Sequence, residues 1–137
     1  MDHRFKTISY SALNSRQKEN YNFQKVSAVL ADYGFNTIRL SDDWQGADFI
    51  AIHINGNDFL KVQLKGRLTF DKRYISKGIW VCFPYKSSWF LYPHDPLLKT
   101  LGDTMNFIKT KSWKDEGAFS WKSLSKNQLS LLSEYKV

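Results

Sequence analysis

Asp48, Gln63 and Lys65 are residues of the types that metal-assisted phosphodiester hydrolysis requires. A hard cation such as Mg²⁺ takes oxygen ligands, which a carboxylate, a carboxamide and a backbone carbonyl supply. Such an ion lowers the pKa of a bound water and neutralises charge on a phosphate. A lysine beside it can orient or deprotonate the attacking water and stabilise the developing charge. The sequence therefore contains the groups for this chemistry, provided that the fold brings them together.

A predicted β-hairpin places two of these residues opposite each other. Residues 47–54 are rich in branched side chains, Asn55-Gly56 is the preferred pair for a two-residue type I′ turn, and residues 57–65 alternate. With this turn Asp48 lies directly across from Gln63, and side chains opposed in this way have Cβ atoms about 4.5–5.5 Å apart. That separation is short enough for the two side chains to share one metal ion.

The alternation of side chains along the two strands predicts one polar face and one apolar face. Lys61, Gln63 and Lys65 are expected on the face of Asp48, with Lys65 diagonal to Asp48 at about 7–8 Å between strand positions. The core face carries Phe49, Ala51, Leu60, Val62 and Leu64. The spacing alone also allows a second interpretation, in which Asp48 is an ordinary turn-to-strand residue and the others form a solvated strand face.

The elements that must position this hairpin predict an α/β sandwich rather than a run of βαβ units. Periodicity and turn residues predict, in order, a helix over 15–33 capped by Asn14 or Ser15 and closed by Gly34, strands at 36–40, 47–54, 57–65, 68–75, 78–83 and 89–92, a short helix from Asp95-Pro96 to Gly102, and a final helix with the capping box Ser125 and Gln128. Residues 103–122 show no readable pattern.

The composition narrows the classes of protein to which the chain can belong. Its 137 residues fit one domain, 1–137, and 20 Lys and Arg against 13 Asp and Glu give a net charge of +7. The single cysteine, Cys82, excludes an internal disulfide framework and a Cys-rich zinc module. No apolar run approaches the roughly 18 residues that span a bilayer, so no membrane partner is expected. Residues 1–5 lack the apolar stretch of a secretory signal, and a cytoplasmic location is expected.

Positive charge is concentrated in the second half of the hairpin and just after it. The basic residues there are Lys61, Lys65, Arg67, Lys72, Arg73 and Lys77. A DNA duplex presents one negative charge per ~1.7 Å, so such a stretch predicts contacts to phosphates, although a solvated hairpin surface is the alternative. Trp44 is the aromatic residue expected to be exposed beside them. Asp42 and Asp43 either lend charge to a metal site or serve a turn.

At these residues the chain resembles the PD-(D/E)XK nuclease superfamily, in particular its Holliday-junction-resolvase-like branch. The resemblance covers about residues 15–93 and rests on the helix, the run Asp43-Trp44-Gln45-Gly46-Ala47-Asp48, the hairpin ending in Val62-Gln63-Leu64-Lys65-Gly66-Arg67, and the strand Trp89-Phe90-Leu91-Tyr92-Pro93. It implies a restriction-endonuclease-like fold. In that fold a central mixed or antiparallel-meander β-sheet is flanked by an N-terminal helix and C-terminal helices.

The resemblance also implies a role for individual residues of the hairpin. Asp48 matches the metal-binding aspartate, and Gln63 occupies the (D/E) position. The Leu64 carbonyl would be a further metal ligand, and Lys65 would be the catalytic lysine. The cofactor implied is Mg²⁺ or Mn²⁺.

The first helix of the family often adds an acid to the site. Gln24 is the position that best matches that acid, with Asn20 and Glu19 as the other candidates on the same helix. Gln63 and Gln24 are neutral where many members carry Glu. Each replacement removes one negative charge from the metal site, which favours weaker Mg²⁺ binding.

These features lead to three functional hypotheses. The first is a metal-dependent DNA endonuclease that acts on duplex or branched DNA, for which a homodimer is plausible because cutting both strands favours two active sites. The second is a catalytically inactive nucleic-acid-binding module of the same fold, which the two glutamines favour. The third is a protein-interaction domain whose basic face meets an acidic partner.

Overall fold

The computed structural model describes residues 4–137, which form a mixed α/β fold. In chain order the helices and strands are α1 (Ser15–Ala31), β1 (Phe35–Trp44), β2 (Ala47–His53), β3 (Phe59–Leu64), β4 (Leu68–Asp71), β5 (Ile79–Tyr85), β6 (Ser88–Pro93), α2 (His94–Met105), β7 (Ala118–Trp121) and α3 (Lys126–Leu132). Among the described residues, no helix has both the length and the apolar character needed to cross a lipid bilayer.

Five of the strands form one mixed sheet in the order β1-β2-β3-β5-β6. Neighbouring strands are antiparallel except for β3 and β5, which are parallel and are joined through β4. The parallel pair requires a crossover, and β4 with its partner β7 forms a separate two-stranded sheet on the way. The predicted fold, a central mixed sheet with an N-terminal helix and C-terminal helices, is confirmed.

Helix α1 covers one face of the sheet and fixes its position there. Its N-terminus is closed by a capping box, in which Asn14 Oδ1 accepts the Gln17 N–H and Gln17 Oε1 accepts the Asn14 N–H, each at 2.9 Å. Val26 and Leu30 are fully buried against the predicted core face of the hairpin. Gly34 ends the segment in the left-handed region, with φ of +84°. The predicted helix and both of its ends are confirmed, apart from a last turn that leaves regular helix at Ala31.

The hairpin of β2 and β3 has the predicted register, with the pairs Phe49–Val62, Ile50–Lys61, Ala51–Leu60 and Ile52–Phe59. The type I′ turn, however, is wrong. Such a turn needs positive φ at both central residues, whereas only Gly56 has one, at +76°. A four-residue loop replaces it, because the His53 N–H donates to the Asp58 carbonyl at 2.8 Å and the Asn55 carboxamide accepts the N–H of Asn57 at 2.9 Å. Two-residue and four-residue loops with the same centre give the same pairing.

The small sheet of β4 and β7 is fastened to the large sheet by two buried side chains. The Tyr92 hydroxyl accepts the Thr69 N–H at 3.1 Å and donates to the Thr69 carbonyl. Two residues further on, His94 Nε2 accepts the Asp71 N–H at 3.0 Å. These bonds pair the N–H and carbonyl of Thr69 and the N–H of Asp71, so backbone groups of a buried strand find side-chain partners. The strand predicted over 68–75 is therefore confirmed only as far as Asp71, where a 3₁₀ turn begins.

The C-terminal part departs from prediction at α2 and agrees at α3. Helix α2 begins at His94 rather than after Asp95, because the Asp95 carboxylate is engaged by His94 Nδ1 at 2.8 Å and by the Ser76 N–H at 2.8 Å. It also continues through Gly102 to Met105 and ends at Asn106, which has φ of 54°. The capping box of α3, Ser125 with Gln128, is confirmed. The unread segment 103–122 contains the end of α2, two irregular helical turns and β7.

Replacing Tyr92 by Phe tests the attachment of the small sheet. The Tyr92→Phe variant leaves the N–H and the carbonyl of Thr69 buried without their partner, so we expect it to lower the free energy of unfolding by about 2–4 kcal/mol. Tyr85→Phe is the matched control, since the Tyr85 hydroxyl accepts only the Leu124 N–H, at 3.2 Å and in a partly buried position. Urea denaturation followed by circular dichroism measures both. Equal losses in the two variants would contradict this account of β4.

Candidate active site

A cleft of about 1190 Å³ lies between α1 and the strands β1, β2 and β3. Its polar lining includes Arg16, Glu19 and Asn20 from α1, Arg39 and Asp43 from β1, Asp48 from β2, and Gln63 and Lys65 at the end of β3. Leu64 also lines it. The structure thus brings Asp48, Gln63, Leu64 and Lys65 to one cavity, as the hairpin register predicts. Their roles in catalysis and metal binding stay predictions.

The Asp48 carboxylate lies where the two strands of the hairpin begin to part. Its Oδ2 accepts the Leu64 N–H at 2.9 Å, so a side chain takes the place of a backbone partner next to Gln63. The pKa of Asp48 is raised to about 6, mainly by burial and in addition by the charge and the hydrogen-bonding contact of Asp43. The Leu64 N–H and the Lys65 ammonium act in the opposite direction. Two acidic side chains are therefore in contact at the cleft.

Gln63 contributes a buried acceptor that lacks a partner. The residue is only 8% exposed, and its Oε1 makes no hydrogen bond within the described part of the chain. Leaving a buried polar atom unsatisfied costs free energy, so such atoms call for a bound species to pair with them. An oxygen of this kind next to the Asp48 carboxylate fits a hard cation, which takes carboxylate and carboxamide oxygens.

The acidic groups of the cleft are few. Within residues 4–137 no three His, Cys, Asp or Glu side chains are grouped so that they could hold a metal ion. A cation in this cleft would therefore be bound by two carboxylates at most, together with neutral oxygens. The residues present fit a divalent ion such as Mg²⁺ or Mn²⁺, whose site is completed by carbonyl oxygens and water.

Lys65 is held by its backbone and leaves its ammonium available. The Lys65 N–H donates to the Cys82 carbonyl of β5 at 2.8 Å, which extends the parallel pairing by one residue beyond β3. Its Nζ lies 5.8 Å from the centre of the Tyr74 ring. The same ammonium lowers the pKa of both Asp48 and Asp71, so it lies close to two carboxylates. It is thus a positive charge beside the acceptors of the cleft.

The α1 wall of the cleft differs from the prediction that the resemblance implies. Gln24 is exposed and is absent from the described residues that line the cavity, whereas the other two candidates, Glu19 and Asn20, both line it. Arg39 of β1 faces them: its guanidinium hydrogen-bonds Asn20, lies 4.0 Å from Glu19 and stands 5.4 Å from the centre of the Phe23 ring. Arg39 is a cationic wall residue that the sequence interpretation missed, because the pattern of its strand alone does not reveal the cleft.

Some of the predicted nucleic-acid-binding residues contact other side chains of the protein, and others are only exposed to solvent. Lys61 Nζ donates to Gln45 Oε1 at 3.1 Å and stands 5.7 Å from the centre of the Trp44 ring. Trp44 is 49% exposed at the turn between β1 and β2, which agrees with its predicted exposure. Lys61 and Trp44 therefore form one cation–aromatic surface on the outside of the hairpin.

The remaining four basic residues lie after β3. Arg67 and Lys77 are exposed. Lys72 packs over the Trp113 ring at 5.4 Å, and Arg73 pairs with the buried Asp71 carboxylate at 2.7 Å. That pairing lowers the pKa of Asp71 against the effect of its burial. Part of the positive charge in this stretch thus has a structural role.

The raised pKa of Asp48 predicts how pH changes the stability of the metal-free protein. Because the pKa is about 6 in the folded state, against an ordinary aspartate value of 3.8, ionisation of Asp48 is less favourable in the fold. Its contribution to stability is fully present below the lower value and is lost as pH rises through about 6. In EDTA we expect Asp48→Asn to gain in Tm relative to the unaltered protein as pH rises from about 4 to about 7, with no further gain above that. Asp42→Asn is the control, and a pH-independent difference for Asp48→Asn would contradict the assignment.

Comparison with known proteins gives similarity at the level of structure. No family model matches the chain, and no curated protein matches it. Solved structures that match it include Hjc, a Holliday junction resolvase of Archaeoglobus fulgidus, with 16% identity over 56% of this chain and 72% of that chain and a TM-score of 0.44. A bacterial homing endonuclease matches with 15% identity over 90% of this chain and 86% of that chain and a TM-score of 0.49. Both matches are similarities of structure at low sequence identity.

Proposed function

We propose that this protein is a metal-dependent DNA endonuclease. The observation that carries the proposal is the convergence of Asp48, the unpartnered Gln63 Oε1 and the Lys65 ammonium in one cleft. A carboxylate and a buried neutral acceptor fit a hard cation, and an adjacent ammonium fits a phosphate or an attacking water.

Asp48, Gln63 Oε1 and the Leu64 carbonyl would hold Mg²⁺ or Mn²⁺. When bound, such an ion lowers the pKa of water and neutralises charge on the phosphate. The Leu64 N–H bond to Asp48 Oδ2 fixes the carboxylate before any ligand arrives, so one oxygen is held and the other faces the cleft. The strand pairing on both sides of β3 gives the site a rigid base, which catalysis by positioning requires.

Lys65 orients the attacking water and stabilises the charge that builds up on the phosphate. In hydrolysis a water oxygen forms a bond to phosphorus, the bond from phosphorus to the leaving ester oxygen breaks, and that oxygen gains a proton. An ammonium one strand position from the cation ligands donates hydrogen bonds to the equatorial phosphate oxygens as their charge grows.

DNA is the substrate that the charge of the protein favours. The net charge is +7, and cationic groups lie on several sides of the cleft, with Arg16 and Arg39 on one wall and Lys65 and the exposed Arg67 at the end of the hairpin. Contacts of this kind track a phosphate backbone without reading sequence. We propose duplex or branched DNA as the substrate. A homodimer, which would cut both strands, stays a prediction.

The decisive variant is Lys65→Ala. We expect DNA cleavage to fall about 100-fold or more, since a positioned hydrogen-bond donor to the developing charge contributes about that factor, while DNA affinity changes by less than about threefold. Lys99→Ala, at an exposed lysine of α2 that is not among the predicted DNA contacts, is the matched control and keeps full activity. The assay uses supercoiled plasmid, linear duplex and a four-way junction with Mg²⁺, Mn²⁺ or EDTA, and a gel-shift measurement of binding runs in parallel.

The other outcomes assign the protein to a different class. Full cleavage by Lys65→Ala would remove this mechanism. Tight, salt-sensitive DNA binding by the unaltered protein without cleavage in any metal would favour the nucleic-acid-binding module, for which the neutral Gln63 is the observation. Absence of any DNA binding at low salt would favour the protein-interaction domain.

A further inference from the structure

Asp43 is an acidic residue of the cleft that the proposed mechanism does not use. It stands near the end of β1, within the irregularly paired stretch between Arg39 and Trp44, and it lines the cavity. The charge and a hydrogen-bonding contact of Asp43 raise the pKa of Asp48, which lines the same cavity. The neighbouring Asp42 is exposed, as Asp43 is, but it is not among the residues that line the cavity in the described chain. The fold thus selects one of two adjacent aspartates for contact with Asp48.

A turn role does not account for this placement. The turn between β1 and β2 is made by Gln45 and Gly46, which take positive φ of 51° and 88°. Within residues 4–137 the Asp43 carboxylate accepts no hydrogen bond from that turn, and Asp43 lines the same cavity as Asp48. Two carboxylates held side by side repel each other unless a proton or a cation lies between them.

Gln63 gives the independent indication that the missing species is a cation. Its Oε1 is an acceptor, lies in a residue that is only 8% exposed, and has no donor in the described structure. The same cavity wall presents the carboxylates of Asp43 and Asp48, which are also acceptors when ionised. A proton shared by the acids would leave Gln63 unpaired, whereas a divalent cation accepts oxygens from all three side chains.

We propose that Asp43 is the third side-chain ligand of the divalent cation in this cleft. The inference rests on the proposed function and extends it, because it gives a ligand role to a residue for which the resemblance implies none. With Asp43 the site has two carboxylates. The second negative charge, which the neutral Gln63 lacks, then comes from Asp43 of β1. Affinity for such ions rises with the number of charged ligands, so the Asp43 carboxylate compensates for the neutral Gln63.

The test is direct binding of Mn²⁺ by titration calorimetry, without DNA. The proteins are the unaltered chain, Asp43→Asn, Asp48→Asn and the matched control Asp42→Asn. We expect Asp43→Asn to weaken Mn²⁺ binding about tenfold or more, Asp42→Asn to leave it within about twofold, and Asp43→Glu to recover part of the loss. In EDTA, Asp43→Asn should have a Tm equal to or above that of the unaltered protein, because one of two adjacent charges is removed.

Each other result overturns a defined part of the scheme. Unchanged Mn²⁺ affinity in Asp43→Asn, with binding lost in Asp48→Asn, would overturn the role of Asp43 and leave the proposed function intact. Loss of affinity together with a lower Tm in EDTA would make Asp43 a structural residue and also overturn the inference. Absence of Mn²⁺ binding by the unaltered protein would overturn both the metal site of the proposed function and the ligand role of Asp43.

Discussion

Phe49 and Val62 face each other across β2 and β3 beneath α1, and their burial sets the position of the polar groups in the cleft. Both are fully buried together with Val26 and Leu30. Side chains alternate along a strand, so a slip of one residue would expose both and turn the polar face away from its place. Burying one such side chain contributes about 1.5–3 kcal/mol. The hydrophobic core of α1 and the hairpin therefore determines where Asp48 meets its neighbours.

Buried polar side chains near β4 have hydrogen-bond partners, whereas Gln63 Oε1 at the hairpin has none within the described residues. On the side of β4, the Tyr92 hydroxyl and His94 Nε2 pair with backbone groups that would otherwise be orphaned. Gln128 leaves its Nε2 without a partner, but its Oε1 caps α3 and so fixes the carboxamide. Gln63 Oε1 has no comparable explanation within the fold, and beside it the pKa of Asp48 is raised by burial. The unfavourable free energy of these buried polar groups is concentrated at one cavity, which is typical of a site completed by a ligand.

How far the sequence predicts this site depends on whether a local pattern or a tertiary contact positions each residue. The alternation in β2 and β3 specifies the facing of Asp48 and Gln63, and the register survives although the loop at Asn55 has four residues. Asp43 could not be assigned from local pattern, because its position follows from an irregularity in β1 that only pairing with β2 reveals. Gln24 shows the same limit, since the rotation of α1 is set by what its buried residues pack against.

Some of the basic side chains already contact other residues of the protein. We therefore expect the DNA contact at the cleft rather than on the hairpin surface. From the sequence, phosphate contacts are predicted for all the basic residues between 61 and 77. In the structure, however, Arg73 pairs with the buried Asp71 and Lys72 packs over Trp113. Lys65 already lies in the cleft, and Arg39 adds a positive charge from the opposite wall that this prediction omitted. If the proposed function holds, phosphates would meet converging positive charge at the cavity with the unpaired Gln63 acceptor, so one cavity would both attract the DNA backbone and hold it at the site.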